Sequence, residues 1–207
     1  MPVVTVARTE RDLQPPATVR ALVFDWDGTL FDNHHFNYTV MRDALAQQGV
    51  RVTSAWFEEN SGFSARLMVQ KAGEAHGLTL DPLEVLAVRD ELAQARVHEI
   101  APVAPVHELL RTERLLAVVT GSERSNIQAA LEHFGLQFDV IVTRDQITRG
   151  KPDPEGYLLA LRLLGVAAHE AVVYEDSDQG ISAALAAGID VVDVRAIAAD
   201  RASTEPD

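Results

Sequence analysis

The ten residues Ala21-Leu22-Val23-Phe24-Asp25-Trp26-Asp27-Gly28-Thr29-Leu30 constrain the fold of this chain more than any other stretch. Ala21 to Phe24 carry no charge and no polar alternation, the pattern of a parallel strand buried on both faces. Side chains of an extended backbone alternate sides, so Asp25 and Asp27 point one way and Trp26 the other. Gly28 lets the chain turn sharply after them. Two acids are thereby presented at the carboxyl end of a buried strand, the edge of an open parallel sheet where ligands bind.

At 207 residues, the chain has room for one large domain, or one with a smaller insert. No apolar run is long enough to span a membrane, and the N-terminus lacks a signal-peptide pattern, so a cytoplasmic protein is expected. With no cysteine, disulfides, thiolate catalysis and Cys-ligated zinc are excluded. A net charge of -13 argues against nucleic acid or an anionic membrane as partner. An anionic small molecule would need local positive charge from a metal or a few placed Lys and Arg. Nothing in the sequence sets an oligomeric state.

Met1 to Val19, with Pro15-Pro16, reads as a surface arm; Val3 to Val6 could form an edge strand, but the prolines separate it from the core strand. From Asp32 to about Ala104 the spacing is helical throughout. Asp32 or Asn33 is a candidate cap for a helix carrying Phe36, Val40, Met41, Ala44 and Leu45. Helices are predicted over 54–59 and 64–76, and a longer one opens at Asp81-Pro82 and runs to about Glu99. The remainder alternates: a helix over 106–111, strands at 115–119, 138–142, 171–174 and 189–194, with helices between them, and a tail from Ala199 that frays. This order predicts an α/β fold, a doubly wound parallel sheet with an inserted α-helical domain.

Three strands end in polar groups: Asp25 and Asp27, Thr120-Gly121, and Glu175-Asp176. Lys151 stands just before a helix start. Four carboxylates in one cleft repel strongly, since two charges about 4 Å apart interact by roughly 4 kcal/mol at an effective dielectric near 20. One lysine cannot offset that, but a divalent cation can. The candidate ligands are oxygens alone, which favours Mg2+ over zinc, and magnesium held by a few carboxylates typically also meets substrate phosphate.

These residues resemble, in order, the four motifs of the haloacid dehalogenase-like hydrolase superfamily. They are Asp25-x-Asp27-Gly28-Thr29, Thr120-Gly121, Gly150-Lys151-Pro152-Asp153-Pro154, and Glu175-Asp176-Ser177 running on to Gly180-Ile181. The helical insert is similar to that of the helical-cap subfamily, with a phosphoglycolate phosphatase-like flavour. The resemblance implies a Rossmann-like core formed by 1–32 and 105–207, and a helical cap over 33–104. It implies a Mg2+-dependent phosphatase acting on a small phosphorylated metabolite. Asp25 is then the nucleophile, and Asp27 the acid and later the base. Thr120, Gly121 and Lys151 bind the phosphoryl group. Asp25, the backbone carbonyl of Asp27, and Asp176 ligate the metal, with Glu175 direct or through water.

Asp27 also discriminates within the superfamily. Dehalogenases lack the second Asp, because a halide needs no proton, and phosphonate-cleaving relatives carry a small residue there. Helical-cap phosphomutases usually carry a histidine where this chain has Asn37. A sugar phosphomutase stays as one alternative, and a non-catalytic binding or regulatory protein on the same fold as another. Ser61 to Arg66 resembles the cap's substrate loop, which makes Ser64 and Arg66 candidate substrate contacts; an ordinary helix start explains them equally well. His34 and His35 read as a solvated hinge pair, Trp26 as packing away from the site, and Asp178 as a helix cap.

Overall fold

The computed structural model describes residues 1–61 and 63–197. The tail expected to fray from Ala199, and Gly62 of the candidate substrate loop, lie outside the described residues. The chain forms two compact units: Met1–Asp32, Ala101–Ile127 and Gly135–Asp207 make one, Asn33–Ile100 with Gln128–Phe134 the other.

The first unit is built on a six-stranded sheet of β1 (Val4–Val6), β2 (Ala21–Phe24), β5 (Leu115–Val119), β6 (Val140–Val142), β7 (Ala171–Glu175) and β8 (Asp190–Asp193). The spatial order is β1-β8-β7-β2-β5-β6, and every pairing is parallel. All four residues of β2 are buried, as expected of an apolar strand between two neighbours. One face of the sheet gathers Ala21, Val23, Ala117, Val119 and Val173 against Tyr157, Ala160 and Leu161 of α7 (Glu155–Leu164) and Ala183 and Ala184 of α8 (Asp178–Ala186). The alternate residues Phe24 and Tyr174 point the other way and stack with ring centroids 4.9 Å apart.

The leader is part of this sheet and not a surface arm. β1 adds in parallel to β8, with Val191 N–H donating to Val3 and Ala7 N–H to Asp193, both at 2.9 Å. A 3-10 turn over Glu10–Leu13 follows, in which Leu13 is buried and accepts a 2.7 Å hydrogen bond from the Tyr174 hydroxyl. The prolines lie after this turn, where they interrupt no ladder.

The second unit follows a two-stranded antiparallel ribbon, β3 (Phe31–Asp32) with β4 (Ala101–Pro102), that the sequence did not suggest. Its helices are α1 (His34–Gln47), α2 (Ser54–Asn60), α3 (Ala65–Ala75) and α4 (Pro82–Ala95). Met41, Leu45, Phe57, Met68, Val69 and Val85 fill its core. Arg96, just past α4, bonds to Asp43, Thr39 and Glu99. Asp81 and Ser64 cap α4 and α3 through Leu83 N–H and Leu67 N–H. Asn33 holds the N-cap position of α1 without a side-chain capping bond, and Asp32 lies in the ribbon, so neither caps as expected.

The remaining helices are α5 (Ala104–His107), continued by a 3-10 turn over Glu108–Leu110, and α6 (Arg124–His133). Among the described residues, no helix is long and apolar enough to cross a membrane.

Candidate active site

Asp25 follows β2 directly, and its N–H bonds the carbonyl of Tyr174 on the neighbouring strand at 3.0 Å. Two residues on, Gly28 turns the chain with φ +85°, and a Cβ there would overlap the Asp176 carboxylate. Glycine is required twice over, for the backbone angle and for the close approach. Thr29 donates to Asp176 at 3.1 Å, which ties the turn after β2 to the end of β7.

One carboxylate oxygen from each of Asp25, Glu175 and Asp176 lies within 4.8 Å of the other two. Lys151 stands beside them, with its ammonium 2.5 Å from Asp25 and also paired with Glu175. The Tyr157 ring centroid lies 5.4 Å from that ammonium, and the Tyr157 hydroxyl donates to Glu175 at 3.2 Å. Glu175 is wholly buried and accepts three more bonds on its other oxygen, from Asp176 N–H, Ser177 N–H and the Ser177 hydroxyl. Both of its oxygens are therefore committed to protein donors. Gly180 makes room for this, since a Cβ at that position would fall inside the Glu175 carboxylate.

The electrostatics follow from burial and charge count. Burial pushes Asp25 well above the usual carboxylate range; Lys151 pulls it back, and Glu175, Asp176 and Asp27 push it further up. Asp176 is raised to about 6, first by burial and then by Glu175. Burial works against the charge of Lys151, but Asp25, Tyr157 and Glu175 outweigh it and hold the amine well above its ordinary value. The cluster is short of positive charge. An all-oxygen donor set in that condition suits a hard divalent cation.

Asp27 belongs to a second group. Its Oδ2 accepts from the Ser122 hydroxyl at 2.8 Å and from Thr120 at 3.4 Å. Thr120 ends β5 and is buried, whereas Gly121 is exposed with open space where a Cβ would stand. Of the residues singled out from sequence, Asp25, Asp27, Thr120, Lys151, Glu175 and Asp176 converge at the carboxyl ends of β2, β5 and β7. Ser64 and Arg66 lie in the second unit, where Ser64 caps α3 and Arg66 is exposed. Trp26 is buried against Phe31, and the rings of His34 and His35 pack on Phe57 and Tyr38. Asp178 is not the cap of α8: Ser177 is, and Asp178 pairs with Arg195 at 2.8 Å.

Sequence reasoning missed Ser122, Tyr157 and the capping role of Ser177. Tyr157 lies on the apolar face of α7 with Ala160 and Leu161, and a buried tyrosine hydroxyl in need of a partner was the available signal.

A sequence model of the haloacid dehalogenase-like hydrolase family matches residues 22–194, and the chain belongs to that family. Among its relatives, fructose-1-phosphate phosphatase YqaB of Escherichia coli K12 is 32% identical, covering 84% of this chain and 95% of the relative. Phosphoglycolate phosphatase of Mesorhizobium japonicum is 31% identical over 84% of this chain and 81% of its own length. Among solved structures, that of CbbY from Rhodobacter sphaeroides in complex with phosphate superposes with a TM-score of 0.72 at 27% identity, covering 84% of this chain and 85% of that one.

Proposed function

We propose that this chain is a Mg2+-dependent phosphatase that hydrolyses a small phosphorylated metabolite through an aspartyl-phosphate on Asp25. The observation that carries the proposal is the pairing of Asp25 with Lys151 at 2.5 Å within a buried, charge-deficient carboxylate cluster. The Asp25 carboxylate attacks phosphorus as the ester P–O bond breaks. Asp27 gives its proton to the departing oxygen, then takes one from the water that cleaves the aspartyl-phosphate. Thr120, the Gly121 backbone and Lys151 stabilise the charge on the transferring group.

Asp25, Asp176 and the backbone carbonyl of Asp27 would hold magnesium. Glu175, whose carboxylate lies in the same group, would join the set directly or through water while balancing Lys151. When bound, the cation supplies the positive charge that keeps Asp25 ionised and neutralises phosphoryl oxygens. The helical segment 33–104 acts as the cap that confers substrate choice. Within it, the exposed Arg66 is available to a carboxylate or second anionic group on the leaving group, while the Ser64 hydroxyl is engaged in capping. The names of the relatives point to sugar phosphates and phosphoglycolate as the first esters to try.

The test is phosphate release from an aryl phosphate and a panel of such esters, with magnesium and with EDTA. Magnesium-dependent release, strongest on one ester, is the expected result. No release from any ester, or release untouched by EDTA, would overturn the proposal.

A further inference from the structure

Ser122 has no place in the mechanism above, yet its hydroxyl bonds Asp27 Oδ2 at 2.8 Å, closer than the 3.4 Å bond from Thr120. Its backbone is pinned on both sides. Ser122 N–H donates to the Thr120 hydroxyl oxygen at 2.9 Å, and its carbonyl accepts from Arg144 N–H at 3.0 Å. The hydroxyl is thus aimed from a fixed base.

A threonine hydroxyl has one proton to donate. If Thr120 gives it to a phosphoryl oxygen, it can no longer give it to Asp27. Ser122 is then a donor that still holds Asp27 Oδ2 while the phosphoryl group is in place. A protonated carboxyl also has a single proton. An Oδ2 that accepts from Ser122 favours Oδ1 as the oxygen to carry it.

We propose that Ser122 is a positioning residue for Asp27: it anchors Oδ2 so that Oδ1 carries and delivers the proton to the leaving oxygen. In that step the Asp25–phosphorus bond forms, the ester P–O bond breaks, and the Oδ1 proton passes to the departing oxygen, leaving Asp27 ionised and Ser122 unchanged. The inference rests on the assignment of Asp25 and Asp27 made above.

An alkoxide needs that proton, whereas nitrophenolate leaves without it. Therefore kcat/KM, which reports the step that releases the leaving group, is compared on an alkyl phosphate and on p-nitrophenyl phosphate. The proteins are wild type, Ser122→Ala, Ser122→Thr and Asp27→Asn, all with magnesium. Ser122→Ala is expected to lose about tenfold on the alkyl ester and about twofold on the aryl ester, part of the range a positioned general acid supplies. Ser122→Thr, which keeps a hydroxyl, restores the alkyl rate. Asp27→Asn shows the same selectivity more strongly. Equal losses on both esters for Ser122→Ala, or no rescue by threonine, overturn the inference while a selective Asp27→Asn leaves the phosphatase assignment standing. An Asp27→Asn variant without selectivity overturns the role of Asp27 itself, and the inference with it.

Discussion

Alanine in place of glycine inside a helix normally stabilises, by about 1 kcal/mol. At Gly180, in the first turn of α8, the opposite is expected. The added Cβ would occupy the position of the Glu175 carboxylate, which accepts from Lys151, Tyr157, the Ser177 hydroxyl and two backbone N–H groups. Pushing that carboxylate aside leaves a buried ammonium short of a partner and several buried donors unpaired. Breaking a buried pair of this kind costs about 3–5 kcal/mol, so Gly180→Ala should lose roughly 2–4 kcal/mol after the helix gain is subtracted. For a chain of this size each kcal/mol moves the Tm by about 2–4 °C, which predicts a fall of roughly 5–15 °C. Calorimetric melting in EDTA reads this directly. The cause is separable, because Gly180→Ala combined with Glu175→Ala should be no less stable than Glu175→Ala alone. A Gly180→Ala protein that melts at or above the wild-type temperature would refute the reasoning.

Asp25→Asn should fold normally and lose turnover by about 10³-fold or more, as the loss of a nucleophile does; activity close to wild type in the ester assay would move the nucleophile elsewhere. Asp176 carries a pKa raised from 3.8 to about 6, so its ionisation opposes folding as pH rises through that window. In EDTA, Asp176→Asn should match wild type in urea unfolding near pH 4 and exceed it at pH 7.5 by up to about 3 kcal/mol, the two-unit shift expressed as energy. A gain that does not grow with pH would refute it. Leu13 is buried in the leader, so Leu13→Ala should cost about 2–4 kcal/mol in the same assay; a change within about 0.5 kcal/mol would return the leader to the surface.

The central strands were legible because burial on both faces leaves a continuous apolar run, as in Ala21 to Phe24. The acids and Thr120 were legible because they interrupt such runs at a strand end. β1 was legible only as a possible edge strand within Val3 to Val6; that it joins the sheet was not, because its side chains Val4, Thr5 and Val6 are all exposed and bury no face that would name a partner. What holds it is backbone pairing to β8, nearly two hundred residues away. The same limit applies at the site. Glu175 and Asp176 are adjacent and chemically alike, yet one is wholly buried among donors and the other half-buried and short of positive charge. Their difference comes from Gly180, Tyr157 and Lys151, whose proximity only the folded chain creates. Asn33 failed as a cap for a related reason, since it is buried beside the ribbon and its composition says nothing of that.

The ribbon itself has a consequence for how the chain can be cut. Phe31 pairs with Pro102 and Asp32 with Ala101, so the polypeptide leaves and rejoins the sheet-bearing unit at adjacent points. The roughly seventy residues between them form a single long loop as far as that unit's connectivity is concerned. Replacing them with a four-residue turn would keep the ribbon register and shorten the loop to be closed, a gain on the order of 2 kcal/mol in closure entropy. Of the two segments that the sheet-bearing unit does not include, 33–100 and 128–134, the longer one leaves and returns at a point where a hairpin turn would serve.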